Sequence, residues 1–559
     1  LAHVFNQSTE EEIDKICYYL VGQIYPSYKH VTLGMGEKMV QTAIALAGGK
    51  TKEVVEKKTR EIGDLGEVAS QLVKPRKNKF DEYLQVEGEL TVADVHRGLE
   101  KIATTSGTGS QEVKIKTLAS MMLEAENIER KYLTRLVTGT MRLGVGDMTV
   151  LDGLAVAFLG SKEKRPTLEH AYNLSSDIGQ VAQVLLTQGV AGIKEIEVTV
   201  NRPLKPMLAQ RVSRLSEIKE KIDSEVIAVE EKYDGERIQV HKQGETVTLF
   251  SRRLTDITGQ FPEVVENVRN HVDVETAILD GEAVAYNFEE EEFYPFQKLM
   301  HRRRKYEVEE YAEEFPVRYM VFDVLYVNGR SLIRESYPKR REELEKLLEN
   351  HKYIALTRRI VSTNLEEIDE YFQRCLERGA EGIICKSCSG SSYYEAGARG
   401  WSWIKWKKEY ASELSDTFDL VVVGGYAGRG KRSGTYGSLL CAAYNHEKDV
   451  FQTVCKLGTG FTDEQLETLP KKFQDLIVEE KPARVEVTDE AKPDYWFVPK
   501  FVVEILGSEI TKSPVHTCAQ EIAGNGLSLR FPRLQRWRPE KGPEQATTAK
   551  EVLQMFKRQ

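Results

Sequence analysis

No uninterrupted apolar run in these 559 residues approaches the ~18 that a membrane-spanning helix needs, and no signal peptide is visible. Membrane association is therefore not expected. The chain begins at Leu1 rather than Met, so a missing or processed N-terminus is expected. Cysteine is sparse. Seven scattered residues, an odd number, suit a reducing cytosol better than a disulfide framework. Cys385 and Cys388 form the only C-x-x-C, and no second pair or histidine cluster completes a zinc site. Internal repeats and low-complexity tracts are missing as well.

A basic excess is also missing. The net charge of -9 argues, on bulk electrostatics, against a polyanionic partner. The signs are segregated, however. An acidic block at Glu289 to Glu292 is followed closely by His301-Arg302-Arg303-Arg304-Lys305, and further basic clusters lie at Lys74-Pro75-Arg76-Lys77 and Arg429-Gly430-Lys431-Arg432. Each alone reads as a solvated face; several on one face would make a nucleic-acid footprint.

With 41% hydrophobic and 30% charged residues, the composition is that of a globular protein, and the length exceeds what one core supports, so about three domains are expected. Residues 1–205 carry helical spacing in EEIDKICYYLVGQI, VADVHRGLEKIA and TLASMMLEAENIERKYLTRLVTGTM. The connectors Ser106-Gly107-Thr108-Gly109-Ser110 and Leu143-Gly144-Val145-Gly146-Asp147 read first as helix–helix turns, second as backbone cradles for phosphate. Residues 206–412 change pattern. VIAVEEKY, RIQVHK, TVTLFSRR, AILDGEAVAY and RYMVFDVLYV read as strands, interrupted by the helical stretches REELEKLLEN and LEEIDEYFQRCLERG. This predicts an α+β domain with antiparallel sheets. Residues 413–559, with about five strands, one short helix (TDEQLETLPKKF) and a basic tail, predict a small β-barrel of OB type.

The chemistry centres on Glu230-Glu231-Lys232-Tyr233-Asp234-Gly235-Glu236-Arg237. Lys232 follows an apolar strand, and Asp234-Gly235 supplies a turn that would hold its side chain in a pocket. A lysine attacks only when unprotonated, which burial or neighbouring cations promote. Downstream, in order, come Ser251-Arg252-Arg253, Asp280-Gly281-Glu282, Phe322-Asp323-Val324, Glu381-Gly382-Ile383-Ile384-Cys385-Lys386, Gly397-Ala398-Arg399-Gly400, Trp403-Ile404-Lys405-Trp406-Lys407 and Leu529-Arg530-Phe531-Pro532-Arg533. Singly, Glu282 and Glu381 read as exposed turn acids and Phe322 as core filler. The order of the set tells against that reading.

This set resembles the covalent nucleotidyltransferases, and over nearly its whole length the chain is similar to archaeal and eukaryotic replicative ATP-dependent DNA ligases. The resemblance implies an all-α N-terminal DNA-binding domain (1–205), an α+β adenylation domain (206–412) and an OB-fold domain (413–559). Lys232 would attack the α-phosphorus of ATP to give lysyl-AMP. Glu230 would read the adenine edge and Phe322 would pack on the base. Arg237, Arg252 and Arg399 match nucleotide-contacting arginines, and Lys405 and Lys407 match the lysines that neutralise the α-phosphate. Glu282 and Glu381 match sugar- and metal-side carboxylates suited to Mg²⁺ or another divalent cation. Arg533 would orient pyrophosphate from the OB-fold, and Gly428 to Arg432 would touch the DNA backbone.

One departure stands out: Arg538-Pro539-Glu540-Lys541 has glutamate where the family usually has aspartate. The resemblance further implies nicked duplex DNA as substrate, bound through phosphates without sequence preference, a monomer, a cytoplasmic and nucleoid-associated location if prokaryotic, and docking on a sliding clamp. Lys77-Asn78-Lys79-Phe80 lies where a clamp-binding segment would, without its glutamine and paired aromatics. Rival readings are an RNA ligase or GTP-using capping enzyme, against which the long helical region stands; an NAD-dependent ligase, which would carry a four-cysteine zinc module; and a non-catalytic nucleic-acid clamp.

Overall fold

In the computed structural model the chain is described except for residues 30, 75–89, 213, 290–291, 295–298, 300–311, 313, 408–416, 429–431, 433, 508 and 559. It divides into two compact units, Leu1–Gly49 with Val73–Ala411 and Lys50–Leu72 with Ser412–Gln559. Among the described residues no helix is long and apolar enough to cross a membrane. The clusters at 301–305 and 75–77 and the clamp-like segment 77–80 lie outside the described residues.

The first unit opens with helices whose apolar stripes meet in one core. Phe5, Ile13, Cys17, Leu151, Leu154 and Val181 are fully buried there. The stretch 117–141 is not one helix. It breaks at Ala125 and Glu126, between Ser110–Glu124 and Asn127–Val137. Glu129 reaches back to accept from the Glu126 amide (2.7 Å), and the buried Arg130 donates to the carbonyls of Met122 (2.7 Å) and Val73 (3.0 Å). One side chain thus satisfies a carbonyl that the preceding helix end leaves open. Both glycine connectors do start helices, with Gly109 before Ser110–Glu124 and Gly146 before Asp147–Leu159.

From residue 210 onward two sheets form. One has the order β1 (Gln210–Arg211), β12 (Trp403–Lys407), β11 (Gly382–Ser387), β2 (Ile227–Lys232), β10 (Arg359–Ser362). The other runs β4 (Thr246–Ser251), β3 (Glu236–Gln243), β5 (Thr276–Asn287), β7 (Val317–Val327), β8 (Arg330–Ser331). The strands expected from alternation are all present, and the pairings are antiparallel except β1 with β12 and β7 with β9 (Ile354–Leu356). Each sheet has a dry side. Ile227, Val229, Ile383, Cys385, Ile404 and Trp406 bury beneath the first, and Ile238, Val240, Leu249, Leu279, Tyr319 and Val321 beneath the second. Cys385 is one of these core residues, and burial pushes its thiol well above the usual range, which leaves it inert. Side chains of opposite parity point the other way, into a shared cleft.

From Phe418 onward the second unit is an OB-like half-barrel built on β13 (Phe418–Ala427), β14 (Tyr436–Asn445) and β15 (Val450–Leu457), extended by β19 (Val502–Leu506) and β22 (Arg533–Trp537). The expected helix spans Asp463–Phe473, opened by a Thr462/Gln465 capping box. The basic tail is more than a tail: Ala549–Arg558 is a helix whose Ala549, Val552 and Leu553 join the barrel core. Their i, i+3, i+4 spacing, continued by Phe556, is what a single packed helix face requires.

Candidate active site

Parity on β2 sorts the three adjacent charges. Glu230 and Lys232 face the cleft, whereas Glu231 turns to the opposite side, where its carboxylate accepts from Tyr233 Oη (2.7 Å) and Arg378 (2.8 Å). Strand register then aligns cleft-facing positions across the sheet. Lys232, Gly382 and Lys407 occupy one row; Glu230, Ile384 and Lys405 the next; Ala228, Lys386 and Trp403 the third. The Lys–x–Lys spacing on β12 therefore places both lysines on one face.

Glu381, just before β11, is bonded through one oxygen to Lys232 Nζ and through the other to Lys407 Nζ. Its amide also donates to the Lys232 carbonyl (2.8 Å). Lys405 stands in a positive field: burial first, then Arg399, Lys232, Arg252 and Arg211, hold its ammonium below the usual lysine range. Desolvated cations facing one another are a site for a polyphosphate.

The second sheet supplies the opposite wall. Register pairs Arg237 with Glu282. The Arg237 guanidinium is held by both oxygens of Asp280 (3.0 and 2.7 Å) and donates to the Met207 carbonyl (2.8 Å). Burial would lower its pKa, but Asp280 more than offsets that, so it stays charged. Glu282 makes no hydrogen bond or ion pair with any described side chain. Burial pushes its carboxyl up to about 7 against the opposing pull of Lys232 and Arg237. Phe322 is the extra residue of a β-bulge: Asp280 pairs with Asp323 and Gly281 with Val321, leaving Phe322 unpaired. Its ring lines the cleft, on the side opposite Tyr319 and Val321, while Asp323 is buried in a two-point pair with Arg340 (2.8 and 3.0 Å).

The cleft encloses about 780 Å³ and is lined by Glu230, Lys232, Arg237, Arg252, Glu282, Phe322, Arg399 and Lys405 among others. Nearly all the residues singled out by sequence are thus brought together, with Glu381 and Lys407 joined to Lys232 at its edge. Arg533 belongs to the second unit, exposed at the start of β22. In the 428–432 loop, residues 429–431 lie outside the described residues, and Arg432 donates to the carbonyls of Gly437 (2.7 Å) and Gly458 (2.9 Å). Glu540, the departure from the family pattern, accepts from Arg538 Nε (2.6 Å), while Arg538 and Lys541 both bind Asp419.

Other residues went unrecognised by sequence reasoning. Lys386 ends a motif already singled out, but its role depends on long-range partners. Its ammonium lies 2.7 Å from Glu230, donates to the Phe322 carbonyl (3.2 Å) and sits over the Trp403 ring (4.4 Å). Burial holds it below the usual lysine range despite Glu230. Tyr337 Oη donates to the other Glu230 oxygen (2.6 Å), and Tyr394 Oη donates to Asp280 (2.8 Å). Arg211 pairs in register with Lys405, on a strand too short to read from sequence.

Comparison with known proteins agrees with this geometry. Residues 1–155 match the family described as DNA ligase N terminus, 206–407 the ATP dependent DNA ligase domain, and 432–541 the ATP dependent DNA ligase C terminal region. The DNA ligase of Staphylothermus marinus is 43% identical, covering 100% of this chain and 95% of that protein. DNA ligase 2 of Thermofilum pendens is 46% identical, over 100% and 94%, and DNA ligase 1 of Methanosarcina acetivorans 44%, over 99% and 94%. With its helical, adenylation and OB-like regions in that order, the chain belongs to the ATP-dependent DNA ligases of the archaeal replicative type, the enzymes that seal nicks in DNA.

Proposed function

We propose that Lys232 is the point of AMP attachment, and that the protein seals nicks in duplex DNA during replication, repair and recombination. Lys232 Nζ, once deprotonated, forms a bond to the α-phosphorus of ATP as the bond to the bridging oxygen breaks and pyrophosphate leaves. The nick's 5′-phosphate oxygen then takes the adenylyl group from Lys232, and the 3′-hydroxyl displaces AMP to close the backbone. The observation that carries this reading is the triad of Lys232, Glu381 and Lys407 at a cleft edged by further cations. The ion pair with Glu381 supports this reading: the proton that Lys232 must lose is relayed through that carboxylate to solvent, which leaves the carboxylate ionised. Lys405, Lys407, Arg252 and Arg399 offset charge on the phosphates, Phe322 packs on the base and Glu230 reads its edge.

A divalent cation fits the donor set. Glu282 is a desolvated carboxylate without an ion-pair partner among the described residues, and a second carboxylate, Glu381, is bonded to Lys232, which lines the same cleft. Hard oxygen donors of this kind suit Mg²⁺. Glu282 and Glu381 would hold it, and its chemistry would be neutralisation of phosphate oxygens.

The remaining assignments belong to the same proposal. Residues 1–205 form the DNA-binding domain, 206–412 the adenylation domain and 413–559 the OB-fold domain, which brings Arg533 to pyrophosphate. The enzyme works as a cytoplasmic, nucleoid-associated monomer and docks on a sliding clamp.

The decisive experiment incubates the protein with ATP labelled in the α-phosphate. Wild type acquires acid-stable label and Lys232→Ala does not; label on the variant would overturn the assignment. A nick-sealing assay with ATP, GTP and NAD side by side separates the rival readings.

A further inference from the structure

The chain between the last helix of the helical region and β1 crosses the adenylation sheet as a strap, and three alternate residues of β3 grip it. The amide of Asn201 donates to His241 Nδ1 (2.9 Å), the amide of Leu204 donates to Gln239 Oε1 (2.9 Å), and Arg237 donates to the Met207 carbonyl (2.8 Å). At Lys205, in the middle of this strap, two other parts of the molecule meet. The Lys205 amide donates to the carbonyl of Asn173, near the end of the helix Arg165–Ser175 (2.8 Å), and its own carbonyl accepts from the Gly397 amide (3.0 Å). The Lys205 ammonium lies 3.6 Å from Asp147, the first residue of the helix that follows the LGVG connector, and over the Tyr172 ring.

The Gly397 side of this junction carries Arg399. Leu208 donates to the Ala398 carbonyl (2.9 Å), and Gln210 Nε2 donates to the Arg399 carbonyl (3.0 Å). Gly397 itself has φ +74, and a Cβ there would lie 2.6 Å from the side chain of Asn173. Beneath, Leu174 of the same helix shares a core with Leu204, Met207, Ile278, Tyr394 and Trp403. The end of one helix in the helical region therefore abuts the loop that presents a cationic side chain to the cleft.

We infer that Asn173 is a positioning residue for nucleotide binding: through Lys205 and Gly397 it sets the loop that carries Arg399, making the helical region part of the ATP-binding machinery rather than a DNA clamp alone. The LGVGD connector then has a second use. Its Asp147 anchors the strap at Lys205, beside the backbone link to Asn173. This inference rests on the adenylation reading of the cleft.

The test is self-adenylylation of the full-length protein with α-labelled ATP in the absence of DNA. Gly397→Ala pushes a methyl group against Asn173 and displaces the loop; misplacement on the ångström scale costs on the order of 10- to 100-fold in rate, here with a raised KM for ATP. Asn173→Ala in the same chain removes the obstruction, so the double variant should recover at least half of the lost rate on a logarithmic scale. That coupling separates the contact from the strain of alanine at positive φ. Asn173→Phe, which presses on the loop from the helical side and leaves Gly397 intact, should raise the KM for ATP without weakening nicked-duplex binding. Wild-type labelling for Gly397→Ala, a double variant no faster than Gly397→Ala alone, or an Asn173→Phe defect confined to DNA binding would each overturn the inference. Absence of label on wild type would instead sink the adenylation reading itself.

Discussion

Glu230 and Lys386 form an ion pair of 2.7 Å with both side chains almost wholly enclosed, 2% and 1% exposed. The carboxylate proposed to read the base is thus held by a buried cation beneath the aromatic rings that line the cleft. Removing Lys386 leaves buried Glu230 with only the Tyr337 hydroxyl (2.6 Å) and the more distant Arg341 (3.8 Å), a loss of up to about 3–5 kcal/mol. Lys386→Met should destabilise the protein by that order in chemical denaturation and blunt its preference for ATP over other purine nucleotides. Adding Glu230→Gln should recover much of the stability while leaving the preference blunted. A Lys386→Met protein as stable and as selective as wild type would remove the pair from the account.

Gly235 answers a close approach rather than a special backbone angle. A Cβ there would lie 2.3 Å from the Ala283 carbonyl oxygen of β5. Gly235→Ala must therefore move the turn that follows Lys232, at a cost of about 1–3 kcal/mol in strain. The expected outcome is a folded protein whose self-adenylylation slows by about 10-fold or more, since Lys232, the proposed nucleophile, is shifted from its line of attack. Circular dichroism with single-turnover labelling checks this; an unaltered rate would show that the turn and the nucleophile are uncoupled.

His241 makes the stability of the adenylation region sensitive to acid. Its Nδ1 accepts from the Asn201 amide, so Nε2 carries the proton and donates to Gln239 Oε1 (2.9 Å). Burial lowers its pKa from 6.5 to about 3. In the unfolded chain the ring takes up a proton near the ordinary value, so unfolding binds a proton in that window. The neutral ring's contribution is complete above about pH 6.5 and is lost as pH falls toward 3. Urea unfolding at pH 7 and pH 5 should show a drop in stability that shrinks in His241→Gln. An equal drop in the variant would assign the acid sensitivity elsewhere.

Strands and site face were legible because they repeat with period 2 and because Lys232, Glu282, Glu381, Lys405 and Lys407 recur in a fixed order. Glu230 and Lys232 could be placed on one face from their spacing alone. What stayed hidden depends on partners distant in sequence. Asp280 and Asp323 look like motif acids, yet each is consumed by an arginine, Arg237 and Arg340, whose positions only the folded sheet supplies. The bulge at Phe322 is hidden in the same way, because the pairing that skips this residue is set by β5 across the sheet. The helix break at Glu126 was hidden for a similar reason. Arg130 caps the preceding helix from inside the core, and a local pattern does not report that.

The sorting of charges along β2 also governs how this chain tolerates change. Lys232, the proposed nucleophile, and its neighbours are stored in odd and even places of a hydrogen-bonded ladder, so a one-residue shift would exchange Lys232 for Glu231 or Tyr233 on the cleft face. Substitutions at the dry positions of β2, β11 and β12 need only preserve volume. A single inserted or deleted residue would leave the sheet able to pair and still erase the chemistry. Length variation in this family should therefore be confined to the connections and absent from these three strands.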